Sequence, residues 1–254
     1  SPSHPMPWLN FCPRNVMEIK QIQQQFAKDV ASHKMHIAHD NGLYKIITFK
    51  QDGESDYHFT ITTHPYCLVI TGDMGSFVFN RTGCEDVFKF FRSSQDTIGE
   101  VDISHYYWSE KVGAGAHSEF DKAGAVSEAM DLFISNDDKP LNFDFTRVDS
   151  IEEIKELLEL AAEENEYVFF ETLSEIAREF QINAYHEIYN GYEIHGGHSK
   201  PRYQYVWCCH AIAWAIAQYD AMKEDVECDW VTRKIRLPKG RPFFKLIPNK
   251  PHQA

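Results

Sequence analysis

YHFTITTHPYCLVITGDMGSFVFN, residues 57–80, alternates apolar and polar side chains with a period of two. Tyr57, Phe59 and Ile61 fall on one side, and His58, Thr60 and Thr62 on the other, which is the pattern of a half-buried strand. His64-Pro65 interrupts the alternation, residues 66–71 resume it, and Gly72-Asp73-Met74-Gly75 turns the chain into 76–80. Upstream, residues 44–50 are rich in strand-forming types and end at the turn sequence Gln51-Asp52-Gly53-Glu54. These connections are too short for a crossover helix, so the strands pair antiparallel. The expectation is a four-stranded meander.

On either side the period changes from two to that of a helix. Ile19, Ile22, Phe26 and Val30 recur three or four apart, and Asn15 with Glu18 resembles a cap, which predicts a helix over 16–33. Thr82 with Glu85 precedes a short apolar helix over 84–92, and 118–134 reads as a further helix stopped by Asn136-Asp137-Asp138-Lys139-Pro140. Ser150 with Glu153 opens a helix carrying Ile151, Ile154, Leu157, Leu158 and Ala161 on one face. Thr172 with Glu175 opens another over 173–180. Residues 203–222 form a long helix that is apolar on two sides, the signature of a helix at the centre of a core. Segments 229–237 and 243–247 read as terminal strands. The fold class is α+β: an N-terminal helix and antiparallel meander, then a mainly helical C-terminal half with terminal strands. The expected division is 17–135 and 141–254, or one domain overall. Residues 1–16 differ in character and read as an extension, with Met17 offering a native start.

Composition narrows the function. A hydrophobic content of 43% and an aromatic content of 14% describe a chain with ample core. No run approaches the length of a membrane span, and the first residues carry no secretory hydrophobic segment. Six cysteines without a CxxC pair read as reduced thiols of a cytoplasmic protein. The net charge of −13 argues against broad nucleic-acid binding. Its placement is uneven. Residues 149–180 hold eleven acids against Lys155 and Arg178, whereas 232–254 hold seven Lys or Arg and no acid.

Three features are candidate sites. Residues 185–219 concentrate Tyr, Trp, His and Cys, including the loop tyrosines Tyr189 and Tyr192, His195, His198 and His210, and the pair Cys208-Cys209. Imidazole and thiolate suit zinc, but the spacing matches no standard zinc site, and neither HExxH nor the nucleobase-deaminase signature is present. Aromatic packing around a hydrogen-bonded histidine is the preferred reading of this cluster, and a metal site at His195, His198 and His210, with Cys209, is the alternative. His33, His36 and His39 fit a polar helix C-terminus, where histidine is favourable to the dipole. Asp73 and Met74 sit at a hairpin tip suited to a tight turn, which could also present them to a partner. No Walker A, GxGxxG, GxSxG or kinase signature occurs.

The segments ITGDMGSFVFNR (70–81), VFKFFR (87–92) and YQYVWCCHAIAWAIAQYDA (203–221) resemble uncharacterised proteins encoded by bacteriophages and prophages. The resemblance implies an accessory protein acting in the bacterial host cytoplasm, often against host defence. The expected function is therefore non-catalytic. The chain would bind and inhibit a host protein or nucleoprotein complex, such as an antiviral (CRISPR) effector, through Glu152, Glu156, Glu159 and Glu163, with Asp73, Met74, Tyr189 and Tyr192 as anchors. No cofactor is required by that reading. The alternative is a metal-dependent hydrolase or nuclease built on the histidines, with zinc.

Overall fold

The computed structural model describes residues 13–93, 103–134, 151–179, 198–224, 227–229 and 234–236. The alternation in the opening stretch is realised as a sheet larger than the sequence predicts. Strands β1 (Lys34–Asn41), β2 (Tyr44–Lys50), β3 (Phe59–His64), β4 (Cys67–Gly72), β5 (Gly75–Asn80) and β6 (Val112–Ala114) form one six-stranded sheet in chain order. All neighbours pair antiparallel. The register aligns Ile47, Ile61, Ile70 and Phe77 in a single row across four strands. Period-two alternation places that row, with Phe49, Phe59, Leu68 and Phe79, on one buried face.

The helices differ from expectation mostly at their starts. Helix α1 runs over Pro13–Asp29 and stops well before residue 33. The backbone bond from the His33 amide to the Val30 carbonyl then turns the chain into β1. His36 and His39 consequently lie in a strand and not at a helix end, which corrects the sequence reading of the histidine triplet. Helix α2 (Val87–Ser93) begins later than 84 because Asp86, not Thr82, is its cap: its carboxylate accepts from the Lys89 amide at 3.2 Å. After α3 (His105–Ser109) and β6, the segment expected as one helix divides at Asp121. Strand β7 (Ser118–Phe120) comes first, and α4 (Lys122–Ile134) follows with Asp121 accepting from the Gly124 amide at 3.2 Å. Helix α5 covers Ile151–Glu164, and α6 covers Glu166–Glu179 with Asn165 as its cap, accepting from the Val168 amide at 3.0 Å. Helix α6 thus starts seven residues before the predicted Leu173. Strand β8 (Ser199–Pro201) pairs with β7. Helix α7 spans Tyr203–Glu224, and β9 (Glu227–Asp229) pairs with β10 (Lys234–Arg236). The strand expected over 243–247 and the loop at 136–140 lie outside the described residues.

The chain forms two compact units. One joins residues up to His117 with those from Pro201 onward, and the other is Ser118–Lys200. Helix α7, assigned by the sequence to a C-terminal half, therefore completes the N-terminal sheet. Its buried run from Tyr205 to Ile216 shares one core with the inner face of the sheet, with Phe26 and Val30 of α1 and its following turn, and with α2 and α3. Trp207 packs edge-on to Phe26 at 5.0 Å between ring centres, and Trp214 does the same to Phe49 at 5.0 Å. Polar ties secure the margins. The Trp207 indole donates to Asp29 at 2.9 Å, the Arg92 guanidinium grips Asp220 through two bonds of 2.6 and 2.7 Å, and Tyr219 and Lys223 both donate to Asp40. The second unit has its own smaller core of Ala125, Val126, Ala129, Met130, Ile154, Leu158, Ala162, Phe169, Leu173 and Ile176. Among the described residues, no helix is long and apolar enough to cross a membrane.

Candidate functional site

The aromatic cluster is the first place to test for chemistry. On α7, Tyr205, Cys209 and His210 are wholly or almost wholly buried, and α3 adds His105 beside them. The Tyr205 hydroxyl donates to the His105 backbone carbonyl at 2.7 Å, and the His105 and His210 rings meet edge-on at 5.3 Å. His105 Nε2 is buried and has no hydrogen-bond partner among the described residues. Burial holds His105 down to a pKa of about 4, pushes the Cys208 thiol up to about 12, and lifts Cys209 and Tyr205 well above their usual values. A thiol in that state carries almost no thiolate at neutral pH and is a poor nucleophile. Tyr205, Cys208 and Cys209 belong to the buried core of the first unit.

Of the other members of the alternative metal set, only His198 lies among the described residues with His210. His198 belongs to the second unit, where its Nε2 lies 3.5 Å from Glu128 and its ring 6.0 Å from Phe170. His210 belongs to the first unit, and His195 lies outside the described residues, as do Tyr189 and Tyr192. Among the described residues, no three His, Cys, Asp or Glu side chains are arranged to hold a metal ion.

The hairpin tip divides its two candidates. Gly72 and Gly75 are paired across the tip, and Gly75 has φ +97°. A side chain at Gly72 would sit 2.1 Å from the His58 carbonyl oxygen, so the close approach of β3 requires glycine there. Asp73 is exposed, with a carboxylate oxygen 3.0 Å from His58 Nδ1. Met74 instead packs partly buried against the main core, which accounts for its apolar type without a partner. Nearby, His33 Nε2 donates to the Tyr57 carbonyl at 3.1 Å. Burial lowers its pKa against the raising effect of that bond.

The acidic helices present a different kind of surface. Residues 151–179 hold ten glutamates and two basic residues, Lys155 and Arg178, a balance of −8. Glu152, Glu156, Glu159 and Glu163 are all exposed on α5, as the sequence expects. Two of these glutamates have a lysine nearby: Lys122 meets Glu163 at 2.8 Å, and Lys155 approaches Glu159 at 3.6 Å. Glu152 and Glu153 in the first turn suit the positive end of the helix dipole. Glu156 does not have that benefit. Helical spacing puts it beside Glu152, Glu153 and Glu159, a set of like charges at positions i±3 and i−4. Leu157, expected on the buried face, is 39% exposed, and Leu160 is 67% exposed. Tyr167 at the start of α6 is equally open, its hydroxyl bonded to Glu171. Sequence reading missed the two leucines, because Leu157 sits between Ile154 and Leu158 in the apolar pattern and Leu160 reads as ordinary helix filler.

The fold and this surface define an α+β protein in which a discontinuous sheet unit accompanies a small acidic helical unit. No family model, curated protein or solved structure matches the chain.

Proposed function

We propose that this chain is a non-catalytic binding protein whose acidic α5–α6 surface engages a basic region of a partner. The observation that carries the reading is the exposed row Glu152, Glu156, Glu159 and Glu163 on α5, in which like charges fall at helical spacing. Each like-charged pair at this spacing costs a few tenths of a kcal/mol in the free protein, and an oppositely charged partner relieves that cost. Charge complementarity of this kind speeds association and rejects acidic competitors. It also sets aside free nucleic acid and anionic lipid as direct ligands of this surface, since both carry the same sign. The partner we propose is a host protein or nucleoprotein complex with a basic groove, such as an antiviral effector, in keeping with an accessory protein of phage origin.

Affinity capture from bacterial lysate tests this, comparing the native chain with one carrying Glu152, Glu156, Glu159 and Glu163 all changed to Lys. The expected result is a stoichiometric basic partner held by the native chain and absent from the variant. Identical proteins on both would refute the acidic-face reading.

A further inference from the structure

The exposed leucines of α5 define the shape of the partner more closely than charge does. Leu160 lies near the middle of the solvent face, and its helical neighbours at i−4, i−3, i+3 and i+4 are Glu156, Leu157, Glu163 and Glu164. It is 67% exposed and Leu157 is 39% exposed, while Ala161 beside it is buried and Ala162 lies in the core of the unit. An apolar pair is therefore framed by carboxylates on a rigid, core-backed helix. Ordinary solubility places polar residues at such positions.

Resting on the binding reading above, we propose that this face is a docking site for a cationic amphipathic helix. The partner would lay an apolar stripe across Leu157 and Leu160 and set Lys or Arg on either side against Glu156, Glu163 and Glu164. The two leucines stand about one turn apart, the repeat at which a helix presents i, i+3 and i+4 anchors to a facing helix. A second copy of this chain does not fit, because a symmetric contact here would bring glutamates against glutamates. A flat basic surface would satisfy the charges yet leave the leucines uncovered. Two leucines form too small an apolar patch to hold a partner alone. Charge supplies the encounter and the leucines supply register, so binding is salt-sensitive and still dependent on apolar order.

The test is fluorescence anisotropy with the full chain and a labelled peptide of about 18 residues, five helical turns. Leucines at i, i+3, i+4 and i+7 are flanked by lysines, and a scrambled isomer has the same composition. At about 0.05 M NaCl the amphipathic peptide is expected to bind at least about tenfold tighter than the scramble, and the gap is lost when Leu157 and Leu160 are both changed to Ser. Both sites are exposed, and circular dichroism checks that the variant keeps its helices. Equal affinity for the two peptides, or no effect of the leucine changes, overturns the helix proposal and leaves the acidic-face reading standing. Binding of neither peptide overturns the helix proposal, while the lysate capture decides the acidic face independently. Self-association of the free chain that the leucine changes abolish also overturns the proposal, in favour of a second copy.

Discussion

His105 shows how a single buried residue couples this fold to pH. It is 5% exposed, its ring rests against His210, and burial keeps it neutral down to a pKa of about 4. In the unfolded chain the same group titrates near 6.5. Above that pH both states are neutral and the residue is silent. As pH falls from 6.5 towards 4, the unfolded chain takes up a proton that the folded chain refuses, so stability declines across this window and levels off below it. The full loss is about 3 kcal/mol. Carboxylates also lose stabilising partners in acid, so the informative quantity is a difference. We expect His105→Phe, which keeps an aromatic ring at the site, to remove about 3 kcal/mol of the pH dependence measured by urea unfolding between neutral pH and pH 4. Parallel curves for the two proteins would show that His105 contributes no such linkage. The thiols of Cys208 and Cys209 follow the same logic, since burial makes them core atoms first and reactive groups hardly at all.

Among the elements, α5 carries the clearest conflict between stability and surface. Changing Glu156 to Lys converts its pairings with Glu152, Glu153 and Glu159 from repulsion to attraction. The expected result is a free protein stabilised by up to about 1 kcal/mol at low salt, with the gain vanishing at high salt. Thermal unfolding at two ionic strengths reads this directly, and an unchanged or lowered Tm would mean that the glutamates do not strain the helix. The acidic face was legible in the sequence because charge needs no tertiary information. The meander was also legible, since alternation and tight turns are local signals. Strand β1 was not: Met35 and Ile37 alternate correctly, but His33, His36 and His39 share a helical spacing that competes with the strand period. Strand β6 has only three residues, Val112–Ala114, and is specified by pairing with β5 and not by its own pattern. The role of Asp86, Asp121 and Asn165 as caps was hidden by neighbouring Thr, Ser and Glu residues that imitate caps elsewhere. The exposure of Leu157 is a further case, because an apolar residue one position from the core stripe looks buried until the helix axis is fixed.

At the scale of the whole molecule, the two cores have different optical reporters. All five tryptophans lie outside residues 118–200, and Trp108, Trp207 and Trp214 are buried in the core of the sheet unit, so these indoles read that unit, whereas far-ultraviolet circular dichroism also reads helices α4, α5 and α6. Leu158 is fully buried in the smaller core. Leu158→Ala should cost that core about 2–5 kcal/mol, and we expect an early phase in the dichroism curve that fluorescence lacks. Coincident curves would show that the two units unfold as one cooperative body. The discontinuity of the sheet unit has a further consequence, which lies in time. The last strand of the six-stranded sheet ends at Ala114, but α7, which shares the core with its inner face, ends only at Glu224. At about 5–20 residues per second, a ribosome needs roughly 5–20 s to make what lies between. Throughout that interval Ile47, Ile61, Ile70 and Phe77 have only part of their eventual cover. A nascent chain in this state exposes apolar surface of the kind that aggregates, and a product truncated before α7 is expected to keep it exposed.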